Sequence, residues 1–88
     1  MSLDANDLIL FAQVIAAGSF SRAAEHCGLP KSTLSRRITL LETKLGERLL
    51  TRSTRRLAIT EFGEQILDHA KRLLEETEAA SAMALHRQ

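Results

Sequence analysis

With 88 residues, 44% of them hydrophobic, the chain has material for one small core, too little to frame a multi-site enzyme, and no enzymatic activity is expected. Aromatic residues make up 3%, with neither Trp nor Tyr, so the core is expected to be aliphatic, a composition that favours packed helices. The formal net charge is +1, no stretch approaches the roughly 20 apolar residues of a membrane span, and the start Met1–Asp7 lacks the basic flank and apolar run of a signal peptide; a cytoplasmic location is expected.

The first predicted element is an amphipathic helix on which Leu8, Phe11, Val14 and Ile15 recur at helical spacing, with Ser2 or Asp4 as its cap and Gly18 as its stop. Ser19 and Ser21 offer caps for a short second helix through Ala23, Ala24 and Glu25, which Cys27-Gly28-Leu29 ends. A third helix begins near Pro30, since proline suits a first helical turn and not an interior. There Leu34, Ile38, Leu41 and Leu45 stand at i, i+4, i+7 and i+11, a continuous stripe closed by Gly46. Lys31, Ser32, Ser35, Arg36 and Thr39 fall off that stripe and Arg37 flanks it, leaving a polar, cationic outer face.

Two short strands follow, Leu49–Arg52 and Leu57–Ile59, joined by Ser53-Thr54-Arg55-Arg56, a connection of hairpin length with two arginines at its tip. Thr60 then caps a final helix, with Glu61 and Glu64 near its positive end. No proline or glycine follows Gly63, so one long helix to the end is the simplest expectation, and His86-Arg87-Gln88 supplies no stop, as in a helix continued in a longer protein. Along it Ile66, Ala70, Leu73, Thr77, Ala80 and Ala84 alternate in steps of four and three, the repeat of a helix that pairs with another, and Leu67, Leu74 and Leu85 widen that stripe.

Two patterns point to nucleic acid. The charge is divided along the chain: residues 1–30 carry a net −2 and residues 57–88 a net −3, whereas residues 31–56, with eight basic and two acidic side chains, carry +6. Such a block attracts phosphate backbones. Leading into it, Ala24-x3-Gly28-x5-Leu34 sets a small residue on the second helix, a glycine in the turn and an apolar anchor on the third, which is helix-turn-helix geometry with Lys31, Ser32, Ser35 and Arg36 turned outward. An ordinary helical hairpin is the plain alternative to that pattern.

On the residues Ser19-Phe20, Ala23-Ala24, Leu34-Ser35-Arg36, Leu41-Glu42, Leu45-Gly46, Leu49, Arg52, Leu57 and Thr60 through Gly63, the sequence resembles the LysR-type transcriptional regulators over nearly its whole length. The resemblance implies a mainly α fold: a winged helix-turn-helix over residues 1–60, three helices and a two-stranded β wing, then a long linker and dimerisation helix over 61–88. It also implies a large effector-sensing domain beyond these residues, and assembly as homodimers or tetramers on interrupted, often AT-rich palindromes. Two positions depart from the family pattern: Pro30 stands where a capping serine is common, and Lys31-Ser32 where glutamine followed by proline is common.

The expected DNA contacts are Ser21, Lys31, Ser32, Thr33, Ser35, Arg36, Arg37, Arg52, Arg55 and Arg56. Arg36, able to pair bidentately with guanine, and Ser35 are the base-reading candidates. Ser21, at the start of a helix, suits a phosphate. The wing arginines suit a narrow minor groove. The expected dimerisation residues are Leu67, Ala70, Leu73, Leu74, Thr77, Ala80 and Ala84. His26 beside Cys27 is read as a surface histidine next to a small packed cysteine, because no further ligands stand at metal-site spacing; no cofactor or metal is expected. The alternative from another class is a protein-interaction module whose long helix is the working surface.

Overall fold

The computed structural model describes residues 2–51 and 57–87. Its elements are α1 (Ala5–Ala17), α2 (Phe20–Cys27), α3 (Lys31–Leu45), β1 (Leu50–Thr51), β2 (Ala58–Ile59) and α4 (Glu61–His86). The mainly helical architecture with a two-stranded wing is as expected, and the strands pair antiparallel, Leu50 opposite Ile59 and Thr51 opposite Ala58.

The helix starts follow from the short polar residues before them. Asp4 accepts the Asn6 amide at 2.8 Å, Ser19 the Arg22 amide at 3.1 Å and Thr60 the Gly63 amide at 2.9 Å, each satisfying a donor that the first helical turn leaves open. So Asp4, not Ser2, caps α1, and Ser19, not Ser21, caps α2. Pro30 takes the cap position of α3, where it has no side-chain acceptor to offer.

The core forms where the apolar faces of α1, α3 and the approach to the wing meet: Phe11, Val14, Leu34, Ile38, Leu41 and Leu49 are all fully buried. Between α2 and α3 the chain reverses at Gly28, whose φ of 70° an L side chain adopts only with strain. The Ala24 carbonyl accepts both amides of this turn, from Gly28 at 2.9 Å and Leu29 at 3.2 Å. The small residue fully enclosed between the helices is Ala23; Ala24 is half-buried.

The first strand begins one residue after the expected Leu49, because the Leu49 amide is diverted from the ladder while its carbonyl still meets Thr60 across it. The amide donates to the Glu42 carboxylate at 2.8 Å, and the carbonyl accepts the Thr60 amide at 2.9 Å. At the far end, Arg52 lies outside the described residues, as do Ser53 through Arg56 of the expected hairpin connection.

The long helix also departs from expectation. Ala70, predicted from its register to face a second copy, is fully buried within this domain, and Ile66, Leu67 and Leu74 pack against the same core. The reason is α1: α4 lies along it, so the first half of α4 completes the domain and the core runs across the boundary expected at residue 60. From Glu75 to Arg87 every residue is exposed. Those three turns continue for about 18 Å at 1.5 Å per residue, which accounts for the 45 Å length of a molecule 28 Å by 19 Å across. None of the described helices is long and apolar enough to cross a membrane.

Candidate nucleic-acid interface

At 100° per residue, burying Leu34, Ile38 and Leu41 on one side of α3 turns Ser32 and Arg36 to the opposite side. Lys31, Ser32 and Arg36 are exposed, and Thr33 and Ser35 are half-buried at the edges of that face. Ser21 is exposed on the first turn of α2. Further along α3, Thr39 donates its hydroxyl to the Ser35 carbonyl at 3.0 Å and Thr43 donates to the Thr39 carbonyl at 3.0 Å. With no side-chain cap at Pro30, the N-terminal end of α3 is where amide donors and the dipole favour negative charge.

Arg37 is not on this face. Its Nε and one terminal nitrogen, NH2, both donate to Oδ1 of Asp7, at 2.7 and 2.6 Å, and the same terminal nitrogen stands 3.8 Å from Asp4 Oδ2. The guanidinium of Arg37, an expected DNA contact, ties α3 to the start of α1. The reason is angular, since one residue past Arg36 the helix has turned toward α1. Asp7, 6% exposed, is one of two buried charged residues among those described; the other is Glu42, also 6% exposed.

Glu42 accepts from two successive backbone amides, Leu49 at 2.8 Å and Leu50 at 3.1 Å. It therefore fixes the entry to β1 against the C-terminal end of α3, and with it the direction in which the wing leaves the core. Neither acid was singled out as functional from the sequence. A signal existed in both: Asp7 is in phase with Phe11 and Val14 on the buried face of α1, and Glu42 lies beside Leu41 and Leu45 on that of α3.

The expected dimerisation residues separate into two groups. Leu67, Ala70 and Leu74 serve the domain's own core and Leu73 is half-buried, whereas Thr77, Ala80 and Ala84 stand exposed on the projecting turns. Met83 and Leu85 beside them are 69% and 71% exposed, large apolar side chains that no described residue covers. Cys27 is half-buried and donates its thiol to Gln13 at 3.3 Å, while His26 is exposed on α2.

A helix pair set by Ala23 and Gly28, an outward cationic first turn on its second helix, and a two-stranded wing directly behind define a winged helix-turn-helix domain. The family model for the bacterial regulatory helix-turn-helix proteins of the lysR family matches residues 5–64, and the chain belongs to that family. It is 46% identical over 82 residues to an HTH-type transcriptional regulator of Xanthomonas campestris, covering 93% of this chain and 24% of that protein. It is 44% identical over 88 residues to the HTH-type transcriptional regulator CrgA of Neisseria meningitidis, covering 98% of this chain and 29% of that protein. The chain thus spans about a quarter of the length of these relatives. Among solved structures, the Vibrio cholerae virulence activator AphB matches with a TM-score of 0.85 at 34% identity, over 93% of this chain and 28% of that one. The DNA-binding domain of BenM, crystallised with benA site 1 DNA, matches with a TM-score of 0.80 at 30% identity, over 96% of this chain and 94% of that one.

Proposed function

We propose that the chain is the DNA-reading end of a transcriptional regulator and binds double-stranded DNA sequence-specifically, with the first two turns of α3 in the major groove and the connection carrying Arg55 and Arg56 in the minor groove. The observation that carries this reading is the outward face of α3: Lys31, Ser32, Ser35 and Arg36 stand together on a helix whose opposite face is locked into the core. Membership of the lysR family and the likeness to a domain crystallised with DNA support it. Arg52, with Arg55 and Arg56, adds charge suited to a narrow, AT-rich minor groove.

In this reading Arg36 is a base-reading residue. Arg36→Ala is expected to weaken binding to a duplex selected from a random pool by about 1–3 kcal/mol, the scale of one bidentate contact, with a much smaller loss on random duplex. Equal losses on both would make Arg36 a phosphate anchor.

The reading also includes a homodimer that addresses two half-sites of an interrupted palindrome, held by the projecting part of α4. The exposed Thr77, Ala80, Met83, Ala84 and Leu85 support it, since apolar surface projecting from a small domain usually marks a partner. Leu74 is a poor place to test this, because it belongs to the core. Ala80→Glu combined with Ala84→Glu is expected instead to leave folding intact and give a monomer by sedimentation at micromolar concentration, with weakened binding to the selected duplex. A double variant that still sediments as a dimer removes these turns from the interface. The same titration tests the protein-interaction alternative, which predicts no affinity for duplex DNA that falls with salt.

A further inference from the structure

We propose that Asp7 and Arg37 are a positioning pair: together they set the rotation of α3 about its own axis, and so decide which base edges Ser35 and Arg36 reach, without either touching DNA. The inference rests on the DNA-binding reading above and adds to it where part of its sequence specificity is determined.

The geometry points to rotation. Arg37 follows Arg36 by 100° of helical turn, so a restraint that sets the rotation of α3 through Arg37 also sets the direction in which the Arg36 side chain leaves the helix. Two donors of Arg37 converge on one oxygen of Asp7, at 2.7 and 2.6 Å, which fixes the plane of the guanidinium as well as its position. Asp7 itself is buried, 6% exposed, in the first turn of α1. Asp4, 3.8 Å from the same guanidinium nitrogen, has its other oxygen accepting the Asn6 amide, so the second acidic neighbour is anchored to the same helix. At the other end of α3, Glu42 holds the Leu49 and Leu50 amides. The helix is thus restrained near its middle by α1 and near its C-terminus by the wing. Loss of the first restraint leaves the packing of Leu34, Ile38 and Leu41 and the two Glu42 bonds to hold the angle.

The sign of one substitution separates this proposal from the simpler idea that Arg37 contacts phosphate. If Arg37 contacted phosphate, Asp7→Asn would release it and remove a negative charge near the DNA, and binding would tighten. If the pair positions α3, Asp7→Asn weakens binding to the preferred sequence.

The test uses the 88-residue chain and two duplexes of equal length, one selected by the wild-type chain from a random pool and one of random sequence. Asp7→Asn and Arg37→Gln are titrated at two salt concentrations below their melting temperatures. Each is expected to lose about tenfold in affinity for the selected duplex, roughly one base contact, with little change on the random duplex. The double variant is expected to be no weaker than the weaker single one, and the salt slope to stay that of the wild type, whereas a lost phosphate contact lowers it by about one. Arg37→Lys keeps the charge and gives up the two-donor geometry; it is expected to keep near-native stability with a partial loss of selectivity, so the proposal stays testable if a neutral variant folds poorly. Tighter binding by Asp7→Asn, or an unchanged ratio of selected to random affinity in all the variants, overturns the proposal while the DNA-binding reading stands. A wild-type chain that enriches no sequence overturns both.

Discussion

Gly63→Ala is expected to lower the melting temperature by about 10 °C or more, with a cost of about 3 kcal/mol at the upper end of what overpacking does to a domain of this size. Gly63 is buried in the first turn of α4, where the helix meets the end of the wing. A Cβ there would stand 2.7 Å from Ile59 Cγ1 and 3.0 Å from the Leu49 carbonyl carbon, and would overlap the carbonyl oxygen of Leu49. That carbonyl cannot withdraw cheaply. It accepts the Thr60 amide at 2.9 Å, and the amide of the same residue is held by Glu42 at 2.8 Å. Relief therefore requires moving α4 off the wing or breaking both bonds. Thermal melting followed by circular dichroism checks this; a melting temperature within a few degrees of the parent contradicts the close approach.

Glu42→Ala is the second large effect. The carboxylate removed is buried and accepts two backbone amides, which the alanine side chain cannot replace. Each buried donor left without an acceptor costs about 1–3 kcal/mol, so a loss of about 2–5 kcal/mol is expected, seen as a lower denaturant midpoint with unchanged slope. Glu42→Gln keeps one acceptor oxygen and is expected to lose less. Equal losses for the two variants would mean that the negative charge, which both remove, matters more than the acceptor that glutamine keeps.

These two sites mark the limit of what the sequence discloses. Asp4, Ser19, Thr60 and the stops at Gly18 and Gly46 were legible because a cap or a stop involves residues a few positions apart. The stripe Leu34, Ile38, Leu41, Leu45 was legible for the same reason, and with it the outward direction of Ser32 and Arg36. The ion pair of Arg37 was not legible because its partner, Asp7, is 30 residues away, and no periodicity says which acid a flanking arginine will meet. Glu42 shows only as a charge beside a buried stripe; its acceptors' partners belong to a segment whose path depends on the whole core. Ala70 was misassigned because two kinds of burial share one register. The same spacing serves a helix packed on its own domain and a helix packed on a second copy, and α1 covers α4 as far as Leu74. Gly63 matched the family pattern, yet its reason, the closeness of the Leu49 carbonyl, appears only in three dimensions.

The central claim is that the +6 block of residues 31–56, presented by α3 and the connection behind it, reads duplex DNA. The most direct measurement is a titration of the chain at two salt concentrations on a duplex selected from a random pool and on a random duplex of equal length. Affinity is expected to fall steeply with salt on both, with the selected duplex bound about a thousandfold or more tighter, the lower range for specific over non-specific binding. Affinity that does not respond to salt, or no sequence enriched over the pool, would contradict it.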